Sequence, residues 1–255
     1  MAYAVMNIRK QKGNGGALEA HIDRKPGMEH AFRNADPERQ KFNISFDLKN
    51  HSGTLNERVN ARIQRGYKGK KAIRKDAIKF VSLVLTGSHE QMKKIFASPN
   101  ARKAWIVDNV KFLQEEFGND NLVKLDLHLD EKTPHLHAII VPLTADGRLS
   151  AKEVVGNKKA LKERLTRYAA KMKKYGLQRG LERSPEHKPT PKDTAEFYTT
   201  VEKVAKMKAK LEKIDFKAIK SISPRDKTFL LQKALTGEKI GKILDNYNHN
   251  RGKKL

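Results

Sequence analysis

Three histidines fall within one short run of this chain, His128-Leu-Asp-Glu-Lys-Thr-Pro-His-Leu-His137. His135 and His137 stand two positions apart, so an extended strand would carry both imidazoles on one face. The apolar run around them, Leu136 and Ala138-Ile-Ile-Val141, reads as a buried strand. His128 closes a second alternating run, Leu122-Val-Lys-Leu-Asp-Leu-His128, and Asp130, Glu131 and Pro134 between the two read as a short turn. Two neighbouring strands joined in this way bring all three imidazoles onto one patch. Three neutral imidazoles with positions left open to water or substrate are the donor set of a catalytic metal site rather than a closed structural one. Scattered histidines are more often surface or core residues. The third histidine at the mouth of the preceding strand, with two carboxylates in the turn, sets this run apart. The chain has no cysteine, which excludes thiolate zinc sites and disulfides.

The formal net charge is +25, and a third of the residues are charged. The excess is +9 in residues 1–150 and +16 in residues 151–255. A chain so basic is attracted to polyanions, and nucleic acid is the expected partner. An anionic membrane is the alternative, but no segment pairs a basic face with a Trp/Phe/Leu face. No apolar stretch reaches the ~18 residues of a membrane span, and the N-terminus lacks a charged region followed by an apolar one. A cytoplasmic protein is expected, with no membrane contact.

A divalent cation beside nucleic acid has a natural task, which is to draw charge from a scissile phosphate. The attacking group is then either water or a side chain. His21 is a candidate because charged residues surround it in Glu19-Ala-His-Ile-Asp-Arg24, and Arg24 lies one helical turn away. Read alone, His21 would be an ordinary exposed histidine. A basic cluster, Lys68, Lys70, Lys71, Arg74 and Lys75, precedes the apolar run Ala77–Leu85. It reads either as a solvated loop or as a grip on phosphates.

These residues need elements to hold them. Strands are expected over residues 2–8, 42–46, 77–85, 122–128 and 136–141. Helices are expected near Ala17, over 54–64 with a Thr54/Glu57 capping box, over 88–117 with a break near Ser98-Pro-Asn100, and over 158–175 up to Gly176. Trp105, Ile106, Val110, Phe112, Leu113 and Phe117 form a stripe expected to be buried. The mixed order with hairpins predicts an α+β fold, a central antiparallel sheet flanked by helices. Residues 1–190 are expected to form the catalytic domain. A Pro-containing linker over 183–191 leads to a mostly helical, basic region over 191–255, with a narrow apolar stripe at Val201, Val204, Met207, Leu211 and Ile214. The abrupt basic end suggests a longer parent chain.

Three stretches together resemble the MobV-type, or Pre/Mob, plasmid mobilisation relaxases of the HUH endonuclease superfamily. His21-Ile-Asp-Arg24 resembles that family's first motif, His-x-x-Arg. Lys71-Ala-Ile-Arg-Lys-Asp-Ala77 resembles its basic segment. His128 to His137, with Val141-Pro and Gly147-Arg-Leu-Ser150 after it, resembles its third motif. The resemblance covers roughly residues 1–185. It implies that His128, His135 and His137 hold Mn2+ or Mg2+, that His21 is the nucleophile, and that Glu131 hydrogen-bonds His21 and takes its proton. It also implies that Arg24, Lys71 and Arg74 lie along the DNA, with Lys75 in the same basic tract. The family's second motif, Asn-x-x-Leu, is here Asn43-Ile-Ser-Phe46, and Asn43 is expected on the DNA side. The implied activity is strand-specific nicking of single-stranded or supercoiled origin-of-transfer DNA by transesterification, with a covalent 5′-phosphate link and later religation. Further relaxosome proteins are implied partners. The rival readings are a replication initiator using Tyr168 or Tyr175, a metal nuclease in which Glu131 activates water, and a non-catalytic DNA-binding protein.

Overall fold

The computed structural model describes residues 1–48 and 52–180. The expected boundary at residue 190, the linker and the helices beyond it lie outside the described residues.

Five strands form one antiparallel sheet: β1 (Ala4–Gln11), β2 (Ile44–Ser45), β3 (Phe80–Gly87), β4 (Leu122–His128) and β5 (His135–Ile140), in the order β1-β3-β5-β4-β2. The two strands of the histidine run lie in the middle of it, and every residue of both is buried. Their apolar composition follows from that position, because a central strand is covered on both faces. The edge strand β1 instead alternates between exposed and half-buried positions after a buried Ala4.

Period-two alternation sorts the strand residues between two faces. Leu83, Leu85, Leu125, Leu127, Leu136, Ala138 and Ile140 point to one side. There α3 (His89–Ala97), α4 (Pro99–Phe117) and, after the short α5 (Ala151–Val155), α6 (Lys158–Met172) cover them with Met92, Trp105, Phe112, Leu113, Tyr168 and Met172. Ile139, Val141 and Val123 point to the other side, against α1 (Gly16–Ile22) and α2 (Leu55–Gly66) through Ile22, Leu55, Val59 and Ile63. A bulge between Leu122 and Lys124 leaves Val123 as the extra residue. It turns Lys124, Asp126 and His128 toward the α1 side.

The expected elements are present with shifted ends. The Thr54/Glu57 capping box starts α2. Ser98 separates α3 from α4 and caps α4, whose first residue is Pro99. Gly176, at φ 73°, terminates the short 3-10 turn that follows α6. The segment expected as a strand over 42–46 narrows to two residues. Asp36 accepts from the Glu38 N–H, and Pro37 opens a 3-10 helix that runs to Phe42, which removes those residues from the sheet.

Gly15 fixes how α1 leaves β1. Its φ is 76°, and an added Cβ would lie 2.7 Å from Phe80 and 2.9 Å from Leu55. Gly13 has a similar φ of 80° but open space around it. Gly15→Ala should therefore lower stability by about 2–4 kcal/mol, and Gly13→Ala by only about 1 kcal/mol. Chemical denaturation of both variants checks this, and equal losses would mean that packing at Gly15 is unimportant.

Candidate active site

His128, at the end of β4, is the register partner of His135, at the start of β5, and Asp126 is the partner of His137. All four side chains therefore stand on the α1 face of the sheet. The ring centroids of His128 and His137 are 4.5 Å apart, those of His135 and His137 4.8 Å, and those of His128 and His135 5.1 Å. Helix α1 lies over this patch and brings His21, whose ring centroid is 5.2 Å from that of His137 and 5.8 Å from that of His128. Glu19 anchors the helix by accepting from the Leu55 N–H at the head of α2. The His21 side chain keeps 29 % of its exposure against 1 % for His128, so it is the ring that a large substrate can reach.

Hydrogen bonds fix the proton positions. His21 Nδ1 lies 2.8 Å from the Ala31 carbonyl, which can only accept. That nitrogen carries a proton, so in the neutral ring the lone pair lies on Nε2. His135 Nδ1 donates in the same way to the Thr133 carbonyl, and His128 Nε2 to the Ile22 carbonyl, each at 2.9 Å. Burial is the main force that keeps the three sheet histidines neutral. It pushes His128 down to about 3, aided by the Arg24 charge, and it lowers His135 and takes His137 well below the usual imidazole value.

Two overlapping sets of donors among the described residues could hold a cation, His128 with Glu131 and His135, and His21 with His128 and His137, each with its ligand atoms within 4.8 Å of one another. The Nε2 atoms of His135 and His137 are 3.0 Å apart. That is the separation of two nitrogens at right angles around an ion with bonds of ~2.1 Å. The free nitrogen of His128, Nδ1, accepts from Arg24 Nη2 at 2.9 Å. The same Nη2 also contacts Asp130 Oδ1 and Glu131 Oε1, each at 2.9 Å. One NH2 group has two hydrogens for these three acceptors, so His128 can be released to an ion while Arg24 stays paired. Glu131 adds an oxygen to this group, since its carboxylate and the nitrogens of His128 and His135 lie within 4.8 Å of one another.

Other expected site residues stand differently. Arg24 is buried, not laid along a surface. It makes a bidentate pair with Asp130, with Nε to Oδ2 at 2.7 Å, and donates to the His21 carbonyl at 2.5 Å. Glu131 approaches His21 Nε2 only to 3.8 Å, too far for a hydrogen bond. Asn43 faces the turn after β4, where its Oδ1 accepts from the N–H groups of Leu129 and Asp130. Its short side chain is spent on holding that turn. Lys71, Arg74 and Lys75 are exposed on the loop between α2 and β3. Tyr168 and Tyr175, the rival nucleophiles, are core residues whose hydroxyls donate to Asn109 at 3.0 Å and Asp108 at 2.5 Å. Burial raises both phenols above the ordinary tyrosine value.

Sequence reasoning placed Asp130 in the turn but gave it no partner, and it missed Asp126 and Lys124. The signal for Asp126 was available, since Asp126 and His128 are two apart on one strand. Asp130 had no such signal, because its partner is 106 positions away.

Residues 1–199 match the family model described as plasmid recombination enzyme, Mob_Pre. The plasmid recombination enzyme type 3 of Staphylococcus aureus is 37 % identical over 188 residues, 72 % of this chain and 44 % of that protein. A type 1 enzyme of the same organism is 32 % identical over 186 residues, 71 % of this chain and 45 % of that one. The chain thus spans less than half the length of these curated relatives. Among solved structures, the manganese-bound MobM relaxase domain on origin-of-transfer DNA of plasmid pMV158 superposes with a TM-score of 0.66. It is 25 % identical and covers 77 % of this chain and 98 % of its own.

The neutral histidines have a consequence for stability. Each has a folded pKa below the unfolded value of about 6.5. Between the two values the unfolded chain binds the extra proton, so stability falls as pH drops from about 6.5 toward about 3 for His128. The slope should reach up to about 1.4 kcal/mol per pH unit per ring. Urea denaturation in EDTA across this range should show the loss, and His128→Gln should flatten it. A profile unchanged by that substitution would mean that His128 is not held neutral.

Proposed function

The chain belongs to the Mob/Pre family of plasmid recombination enzymes, and on that premise we propose that it is a relaxase domain that nicks and rejoins one strand of transfer-origin DNA through His21. The observation that carries this reading is the free Nε2 of a partly exposed His21, set over three buried neutral histidines. The geometry supports attack by the side chain over attack by water. Glu131, the candidate base for a water nucleophile, is already an acceptor for Arg24.

His128, His135 and His137 would hold the ion, manganese or magnesium. When bound, it would supply positive charge beside the non-bridging phosphate oxygens as negative charge develops there. The remaining chemistry belongs to the protein. The Nε2 lone pair of His21 forms a bond to phosphorus, and the bond to the 3′ oxygen breaks. That oxygen leaves with the electron pair and takes a proton from water. The product is a 3′-hydroxyl and a strand joined to His21 through its 5′-phosphate. The ring becomes cationic as the P–N bond forms. It then sits between the Ala31 carbonyl, which accepts the hydrogen bond from its Nδ1–H, and the Glu131 carboxylate 3.8 Å away. Glu131 therefore acts through charge, stabilising the imidazolium, and not by removing a proton beforehand. An incoming 3′-hydroxyl reverses the step and religates the strand.

Lys71, Arg74 and Lys75 are placed to grip the phosphate backbone, and their contribution should weaken as salt rises. Arg24 positions the site from inside. No helix among the described residues is long and apolar enough to cross a membrane, and a cytoplasmic place of action fits a DNA substrate. Accessory relaxosome proteins are further proposed partners.

The test is covalent capture. The 255-residue protein, incubated with manganese and a randomised pool of single-stranded oligonucleotides labelled at the 3′ end, should form a labelled adduct. His21→Ala should form none. A phosphorus–nitrogen bond breaks in mild acid and survives base, so the adduct should dissociate on acidification. An acid-stable adduct, or one formed by His21→Ala, would move the nucleophile elsewhere. Cleavage with no adduct would favour water.

A further inference from the structure

The histidine face of the sheet carries one more ionisable pair. Lys124 and Asp126 are buried on β4, two residues apart and on the same side as His128. Lys124 Nζ lies 2.7 Å from Asp23 Oδ1 and 3.3 Å from each oxygen of Asp126, so it leans toward Asp23. Asp126 Oδ2 is buried and makes no hydrogen bond, although Lys124 Nζ lies 3.3 Å from it and the Ser45 hydroxyl on β2 faces the same carboxylate. Directly across the ladder, His137 Nδ1 is buried with none either.

These two orphans match in kind. His135 carries its proton on Nδ1, so its Nε2 presents a lone pair to His137 Nε2 at 3.0 Å. For His137 to offer Nε2 to a cation, its ring proton must sit on Nδ1. That N–H then needs an acceptor. Among the described residues, the one buried side-chain oxygen that accepts no hydrogen bond is Asp126 Oδ2, on the cross-strand neighbour.

We propose that Asp126 is a positioning residue for the metal site, accepting the Nδ1–H of His137 so that Nε2 is committed to the ion. This deepens the relaxase reading and rests on its assignment of His137 as a metal ligand. The carboxylate does three things at once. It selects one tautomer, holds the ring in plane, and adds electron density to the nitrogen that binds. Lys124 limits how strongly it does so, because a carboxylate shared with an ammonium is a weaker acceptor. Asp23 draws that ammonium away and tunes the pair from α1, beside His21. Moving the ring proton from Nε2 to Nδ1 releases no proton, so His137 can take up its ligand role without one leaving the buried site.

The experiment is manganese binding to the whole chain without DNA, by titration calorimetry. Histidine nitrogen resonances are followed in parallel, with magnesium as the diamagnetic ion. Asp126→Ala should weaken manganese binding by about 10–100-fold. Asp126→Asn keeps an acceptor without the charge and should recover part of that loss. It also serves as the deciding variant should Asp126→Ala fail to fold. In the unaltered protein, magnesium should place the His137 proton on Nδ1 with a downfield shift that Asp126→Asn reduces. Unchanged affinity and an unchanged Nδ1–H resonance in Asp126→Asn would overturn the inference. An unaltered protein that binds no manganese would instead overturn the metal assignment on which it rests.

Discussion

A single buried guanidinium joins the two halves of the site. Arg24 reaches from the end of α1 into the β4–β5 turn and donates to Asp130, Glu131, His128 and the backbone of His21. To do so its backbone adopts φ 51°, the left-handed region that a non-glycine residue enters at a cost of about 1–2 kcal/mol. Asp130 makes that conformation worthwhile. Burial pushes its carboxyl up, but Arg24 more than offsets this and holds it below the usual carboxylate range. A bidentate pair with both partners buried is fixed in direction as well as distance. The nucleophile candidate on α1 and the three histidines of the sheet are therefore set relative to each other by one planar fork. Arg24 could not be replaced by lysine without losing the second bond to Asp130.

The same pairing sets the charge of the site. Arg24 contributes one positive charge, and Asp130 and Glu131 contribute two negative ones. The three sheet histidines stay neutral because burial opposes their protonation and the Arg24 charge adds to that opposition. The balance facing the imidazoles is thus negative, which favours a divalent cation. The strongly positive residues are elsewhere, on the exposed loop after α2 that holds Lys71, Arg74 and Lys75. On the proposed reading, affinity for a polyanion and polarisation of one phosphate are separate electrostatic tasks that fall to separate places.

The histidine run was legible in the sequence because every signal in it is local. Alternation fixed the faces, the turn residues fixed the hairpin, and two apolar strands of the right length fixed its burial. The capping box of α2 and the Ser-Pro break before α4 were visible for the same reason. Contacts over long separations left no comparable trace. Arg24 reads as an exposed helical cation until Asp130 arrives 106 positions later to bury it. Asn43 reads as a polar residue in a strand, yet its use is to accept from the N–H groups of Leu129 and Asp130. The carbonyls of Ala31, Ile22 and Thr133, which decide the proton positions of three histidines, belong to residues whose side chains say nothing about that role.

What lets one sheet carry both a core and a reactive site is the unequal use of its faces. The face under α3, α4 and α6 is apolar along the whole of β5, through Leu136, Ala138 and Ile140. The opposite face changes character along the same strand. It begins polar at His135 and His137 and becomes apolar at Ile139, where the cluster under α1 and α2 begins. Folding energy is thus supplied by one full face and half of the other. On β5 the polar groups gather at the strand end that the turn and Arg24 close over. The donors there are held by ladder hydrogen bonds and not by flexible loops, so their spacing is set by the strand register. A one-residue slip of β5 would send both of its histidines into the apolar core. The burial of Leu136, Ala138 and Ile140 therefore specifies the position of the imidazoles as strictly as any contact the imidazoles make themselves.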